Sequence, residues 1–160
     1  MLESAHQQRY AELIAELAEI FSVDATVLKE FGHLIVNGVH VGLVDFGSAD
    51  LGWITVLFDL GPIPDTQSHA VYRQLLEQNV RLPSSFGVFA IIPDNGHGAL
   101  VYRFDLAGNV NGRTLARHIH EVSAAYAKLE NIFEEVARNR QTDSQQRLLR
   151  ERLSKRPTGR

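Results

Sequence analysis

Hydrophobic and polar positions follow a helical period in some segments of this chain and a strand period in others. Over residues 5–21 the apolar positions recur at steps of three and four residues, which predicts an amphipathic helix. Residues 33–37 and 39–46 are rich in β-branched side chains and meet at Asn37-Gly38, a dipeptide that favours a tight turn between strands. The first part of the chain therefore predicts a helix followed by a β-hairpin.

The middle of the chain combines an apolar strand, a proline corner and a second helix. Residues 52–60 are rich in aromatic and β-branched side chains, and the Gly-Pro-Ile-Pro corner at 61–64 ends the strand because proline has no backbone N–H. The helix begins between Asp65 and Ser68. Its apolar surface exceeds what one small sheet needs, so we expect a subunit interface there, with burial against its own sheet as the alternative. The predicted interface residues are Val71, Tyr72, Leu75, Leu76 and Asn79.

The remaining segments complete an alternation of helices and strands. Two strands are predicted at 86–92 and 99–106, with a hairpin turn at 93–98 between them. Residues 113–136 carry apolar positions at strict four- and three-residue steps, which predicts a long helix, and 24–28 are predicted to form a short turn. The order α-β-β-β-α-β-β-α predicts an α+β fold, in which three helices accompany one twisted antiparallel sheet.

The composition excludes several classes of protein. The chain has 160 residues and no cysteine, so disulfides, thiol nucleophiles and cysteine-based zinc sites are ruled out. The N-terminal segment is polar and shows no secretory signal, and no apolar run approaches the ~18 residues that span a bilayer. We therefore expect a cytoplasmic protein of one domain that does not insert into membranes.

The charge is distributed unevenly along the chain. Residues 1–137, the predicted α+β domain, hold 8 basic and 17 acidic side chains, a net charge of −9. Residues 138–160 hold 8 basic and 2 acidic side chains, a net charge of +6, and we expect them to form a basic, flexible tail. Such a tail is either a solvated terminus or an electrostatic arm for an acidic protein surface. Nucleic acid is a weaker candidate partner, because the tail has no aromatic side chains to stack on bases.

No common catalytic or cofactor motif is present. His118 and His120 are two residues apart on a predicted helix, so they face different directions and cannot share a metal ion. Asp45, Asp59 and Asp105 follow or end strands, where they are expected to cap turns. The chain lacks a glycine-rich phosphate loop and a nucleophile elbow. These absences favour a protein that is not an enzyme and has no cofactor or metal, with a site assembled by the fold from scattered histidines as the alternative.

Three stretches carry a resemblance to a known family. They are Tyr10-Ala11-Glu12-Leu13-Ile14-Ala15-Glu16-Leu17 in the first helix, Leu57-Phe58-Asp59-Leu60-Gly61-Pro62-Ile63-Pro64 at the corner, and Tyr72-Arg73-Gln74-Leu75-Leu76-Glu77-Gln78-Asn79 in the central helix. Over residues 8–137 the chain resembles the class I chaperones of bacterial type III secretion systems, the Tir-chaperone-like (CesT) family. It departs from the family pattern in the basic tail from Arg138 and in its smaller overall acidity.

The resemblance implies a cytoplasmic homodimer without enzymatic activity. In such proteins the central helix makes the dimer contact, and the N-terminal segment of a secreted effector wraps around the dimer in extended form. The partners implied are therefore a second copy and one or more effectors, with a component of the secretion apparatus as a partner for the tail. The residues expected to contact the effector are Tyr10, Leu13, Leu34, Val36, Val41 and Leu43. For the strand residues in this set, the alternative is a place in the hydrophobic core.

Two other functions remain open at this stage. One is an interaction or regulatory module of the same fold outside secretion, similar to the YbjN-like group. The other is a small enzyme whose site is assembled by the fold.

Overall fold

Helices and one antiparallel sheet account for most of the described residues. The computed structural model describes residues 5–44, 52–81, 87–108, 110–126 and 146–147. The helices are α1 (Ala5–Phe21), α2 (Ala25–Phe31), α3 (Ser68–Arg81) and α4 (Gly112–Tyr126), and a 3₁₀ turn at Asp65–Gln67 leads into α3. The strands are β1 (His33–Val36), β2 (Val39–Val44), β3 (Trp53–Gly61), β4 (Val88–Ile91) and β5 (Gly98–Asp105). The predicted α+β class is confirmed, with one helix more than expected. The basic tail, its boundary at residue 138 and the end of the last predicted helix lie outside the described residues, apart from 146–147.

The sheet has the strand order β1-β2-β3-β5-β4, and every neighbouring pair is antiparallel. The predicted turn joins β1 and β2, with φ angles of 52° at Asn37 and 78° at Gly38. Two consecutive residues with positive φ match the twist of a two-residue hairpin. Because a turn of this kind fixes the register, Val36 lies opposite Val39 and Leu34 opposite Val41.

The predicted turn at residues 24–28 was wrong, because α2 occupies most of this segment. The carboxylate of Asp24 accepts hydrogen bonds from the backbone N–H groups of Thr26 and Val27 at 2.8 and 3.0 Å and caps the helix. Both bonds lower the pKa of Asp24, and the bond from Val27 has the larger effect. The helix ends at Gly32, whose φ of 57° suits glycine. Seven residues with one buried side chain give too little apolar period to reveal such a helix from sequence.

One face of the sheet forms the core with α1 and α4. Alternate residues of the strands point to this face, which we call the inner face, and pack against the apolar stripes of the two helices. The fully buried residues with the largest side chains are Phe58, Leu13, Ile14, Leu17, Leu28, Ile54, Leu100, Leu115 and Ile119. The predicted helical stripe of the last helix is confirmed for its described part. No helix within the described residues is long and apolar enough to cross a membrane.

A glycine allows α1 and the start of α4 to approach closely. A β-carbon added at Gly112 would lie 2.3 Å from the β-carbon of Glu16, far inside van der Waals contact. The Gly112 N–H donates to the Glu16 carboxylate, which places a negative charge at the N-terminus of α4. Nearby, Arg9 donates to the carbonyl oxygen of Val110 at 2.8 Å. These contacts, which we call the α1–α4 joint, hold together the two helices that cover the inner face.

Candidate functional site

The central helix, α3, has a buried side and an exposed apolar side. Val71 and Leu75 are buried at 1% and 8% exposure and pack with Leu60, Ile63 and Phe89. These two predicted interface residues therefore belong to the interior of the subunit. On the other side of α3 the apolar residues Tyr72, Leu76 and Val80 lie at four-residue steps, with exposures of 40%, 66% and 88%. We call these three residues the α3 stripe.

Asn79 has an intramolecular role that the sequence did not indicate. Its side-chain amide donates to the carbonyl oxygen of Phe89 at 3.0 Å and accepts from the Phe89 N–H at 2.7 Å. The two bonds reproduce what a neighbouring strand would make at that residue. Asn79 thus fastens α3 to β4, and its amide is engaged within the subunit.

The residues predicted to contact an effector are mostly in the core. Leu13, Leu34, Val36, Val41 and Leu43 have exposures from 0% to 6%. Such side chains have almost no surface to offer a partner unless the core opens. The strand residues among them correspond to the core alternative given above, and Leu13 of α1 is buried as well.

Tyr10 and Leu43 do meet at a surface groove beside α2. The groove has a volume of about 500 Å³, and we call it the α1–α2 groove. It is lined by Gln7, Tyr10, Lys29, Glu30, Phe31, Gly32, Leu43 and Val44. Phe31 is 68% exposed at its rim, and Val27, one turn earlier on α2, is 53% exposed. Sequence reasoning missed both residues because their helix is too short to show a period, although Asp24 is of a residue type that favours helix N-caps.

The outer face of the sheet, opposite the inner face, combines apolar residues with charged ones such as Arg103 and Asp105. Leu57, Val101 and Val88 lie opposite one another on β3, β5 and β4 and form an apolar row across this face. A cavity of about 760 Å³ includes these three residues in its lining. Ile35 and Trp53, on the same face, are 61% and 46% exposed. An outer face of this kind is typical of a surface that another chain covers.

His118 on α4 lies among aromatic rings on the inner face of the sheet. Its ring centroid is 4.4 Å from that of Tyr102, 5.1 Å from that of Phe104 and 6.4 Å from that of Phe58. Burial lowers the pKa of His118, and the charge of Glu121 acts in the opposite direction. Nε2 has no hydrogen-bond partner in the part of the chain that the structure describes. His118 is therefore favoured in its neutral form.

We expect acid to weaken the fold through His118. Because its pKa is lower in the folded protein than in the unfolded chain, the unfolded chain binds the proton more readily. The stability from neutral His118 is complete above pH ~6.5, the ordinary value for the unfolded chain, and falls as the pH drops below it. Urea unfolding at pH 7.5 and 5.5 should show a smaller loss of stability for His118→Phe than for the wild type. His120→Gln, an exposed change on the same helix, is the control, and parallel losses in all three proteins would contradict the assignment.

The carboxylates near strand ends do not form a proton-sharing pair. Asp59 contacts Nδ1 of His97 at 2.9 Å through both oxygens and accepts the N–H of Gly61 at 2.8 Å. Asp105 accepts the N–H of Ala107 at 2.8 Å. The prediction that these two residues cap turns is confirmed, and Asp45 lies outside the described residues. Among the described side chains, no three histidines or carboxylates converge on one point.

Comparisons with known proteins agree with this architecture. The sequence model of the Tir chaperone protein (CesT) family matches residues 12–130. The fold is similar to a chain of the ExoT–SpcS complex from Pseudomonas aeruginosa, at a TM-score of 0.51 and 18% identity, covering 73% of this chain and 94% of that one. The Yersinia pestis type III secretion chaperone SycH, solved in complex with a stable fragment of YscM2, gives a TM-score of 0.49 and 19% identity over 76% of this chain and 99% of that one. No curated protein sequence matches.

The family model spans most of the chain, from the middle of α1 past the end of α4. The chain belongs to the Tir chaperone protein (CesT) family.

Proposed function

We propose that this protein is a cytoplasmic type III secretion chaperone. As a homodimer it binds the N-terminal region of one or more effectors and keeps that region stable and export-competent, without enzymatic activity. Family membership supports the class, and the relative of similar fold was solved in a complex of two different proteins, ExoT and SpcS. The observation that carries the proposal is the amount of apolar surface left exposed by a subunit whose core is already filled.

The α3 stripe is the proposed dimer interface. Tyr72, Leu76 and Val80 face away from the buried side of α3, so they contribute little to the stability of a lone subunit. A two-fold axis at this helix would pair the stripe with its own copy, and one self-complementary patch would then serve both subunits. Asn79 supports this interface indirectly, because it holds α3 in place on β4.

The α1–α2 groove is the proposed contact for an extended client segment. Phe31 and Tyr10 offer apolar surface, and the charged side chains of Lys29 and Glu30 stand beside them. β1 is an edge strand of the sheet and begins directly after Gly32 of the groove, so a client strand has a backbone to pair with close to these side chains. An unfolded client loses conformational entropy when it is ordered, so useful affinity requires several such contacts. Leu43, a buried residue of β2, also lines the groove, whereas Leu13 lies in the core.

The basic tail is the proposed contact for an acidic surface. This part of the proposal rests on the net charge of +6 over residues 138–160. The acidic surface belongs either to the effector or to a component of the secretion apparatus. Binding through the tail would weaken as salt is added, because exposed charges are screened.

The proposal is tested by identifying a client and then changing the groove. Proteins that co-purify with the chaperone from its host are identified by mass spectrometry, and the N-terminal segment of a captured secreted protein is titrated by calorimetry. We expect Phe31→Asp to weaken binding by about tenfold or more, since a charge replaces a desolvated aromatic contact. Ala25→Asp places the same charge on α2 at an exposed position that does not line the groove and should bind normally. Equal affinity of wild type and Phe31→Asp would rule out the groove, and the absence of any secreted client would argue against the function.

A further inference from the structure

The β1–β2 hairpin brings two histidines together on the outer face of the sheet. His40 lies opposite Ile35 and His33 opposite Gly42, so the two histidines are diagonal neighbours on adjacent strands. Nε2 of His33 lies 2.9 Å from Nδ1 of His40, and the ring centroids are 5.1 Å apart. Both side chains are exposed to solvent. The sequence did not reveal this pair, because the two histidines are seven residues apart and come together only through the turn at Asn37-Gly38.

We infer that His33 and His40 form a surface site for a divalent transition-metal ion, with Cu²⁺, Ni²⁺ and Zn²⁺ as the candidate ions. Imidazole nitrogens bind these ions at about 2.0–2.1 Å, so two such ligands on one ion lie about 2.9 Å apart at a right angle and about 3.3 Å apart at the tetrahedral angle. In the metal-free protein this contact is a hydrogen bond between the two rings, and its length of 2.9 Å falls at the start of that range. To bind one ion, the ring that donates this hydrogen bond takes the tautomer with its proton on the other nitrogen, so that both rings offer a lone pair to the ion.

With only two protein ligands, the site should bind its ion weakly and exchange it readily. No third histidine or carboxylate converges with this pair in the described residues, so water fills the other coordination positions. Affinity should follow the usual order, in which Cu²⁺ binds more tightly than Ni²⁺ or Zn²⁺ at a nitrogen site. Because the two ligands come from different strands, the ion would tie the edge strand β1 to β2 and stabilise the folded state that it binds.

The site is tested with the full chain, free of any purification tag. Cu²⁺ is titrated by calorimetry, and the bound ion is observed by electron paramagnetic resonance. We expect coupling to two imidazole nitrogens in the wild type, and about a tenfold or greater loss of affinity in both His33→Asn and His40→Asn. Saturating Zn²⁺ should raise the Tm of the wild type by about 3 °C and leave both variants unchanged.

The control is His69→Asn, an exposed histidine on α3, which should bind Cu²⁺ as the wild type does. His33 and His40 lie on the solvent side of the hairpin, so their replacement leaves the core intact, and circular dichroism verifies this. If the wild type binds no Cu²⁺, or if both hairpin variants bind it with unchanged affinity and spectrum, the inference is wrong.

Discussion

Leu76→Asp should convert the proposed homodimer into a folded monomer. Leu76 is 66% exposed at the centre of the α3 stripe, so the substitution costs the lone subunit little. At a two-fold interface the same substitution buries two unpaired carboxylates, each of which costs several kcal/mol. We therefore expect the dissociation constant to rise by about 1,000-fold or more, since each 1.4 kcal/mol is a factor of ten. Sedimentation velocity gives the oligomeric state, and circular dichroism shows whether the fold is kept.

Two further variants make this test specific. Leu75→Asp changes the neighbouring residue, which is only 8% exposed and packs in the interior, so it should unfold the subunit instead of producing a monomer. Ala15→Asp puts the same charge at an exposed position of α1 and should leave the dimer unchanged. A normal dimer formed by Leu76→Asp would show that the α3 stripe is not the interface. A wild type that stays monomeric at high concentration would remove the dimer from the proposal altogether.

Gly112→Ala should destabilise the protein even though alanine is the better helix former. The added methyl group would lie 2.3 Å from the β-carbon of Glu16, so α1 and α4 must separate. Overpacking of this kind costs about 1–3 kcal/mol, and weakening the bond from the Gly112 N–H to the Glu16 carboxylate costs about 1 kcal/mol more. Against this stands a helix-propensity gain of about 1 kcal/mol or less. We expect a net loss of about 2 kcal/mol, or about 4–8 °C in Tm for a chain of this size.

Matched variants separate the cost of overpacking from the contribution of the hydrogen bond between Gly112 and Glu16. Gly42→Ala in β2 places its β-carbon 3.7 Å from the nearest atom, an ordinary contact, and should be close to neutral. Glu16→Ala keeps the β-carbon but removes the carboxylate, so it reports the hydrogen bond alone and should cost less than Gly112→Ala. Thermal unfolding followed by circular dichroism measures all three. If Gly112→Ala were as stable as Gly42→Ala, close approach of the helices at this point would not limit stability.

Local patterns in the sequence were sufficient for most of the fold. The Asn37-Gly38 dipeptide predicted the first hairpin, and the turn there sets its register. The regular spacing of apolar residues in α4 predicted a helix, and its apolar stripe packs in the core. These features depend on contacts between residues close in the chain. The sheet order, in which β5 lies between β3 and β4, depends on pairing between distant segments, and periodicity contains no information about it.

The candidate surfaces were harder to predict, because apolar residues occur on both sides of the same elements. Leu75 and Leu76 are neighbours of the same type, yet one packs inside the subunit and the other is exposed. Leu34 and Ile35 divide in the same way between the inner and outer faces. Hydrophobicity alone cannot tell which residue of such a pair is buried, since this depends on tertiary packing. The inner face of the sheet is covered by α1 and α4, and the buried side of α3 packs with Leu60, Ile63 and Phe89. Phe31 was missed for a different reason, because its helix is too short to show a period.

The Asn79 amide has a consequence for self-association of the sheet. By engaging both backbone groups of Phe89, it leaves an incoming strand no partner at the centre of β4 unless α3 is first displaced. Sheets of different molecules can join edge to edge into fibrils, because the unpaired N–H and C=O groups of an exposed edge strand pair with another chain. The Asn79 side chain thus protects β4, one of the two edge strands, against polymerisation.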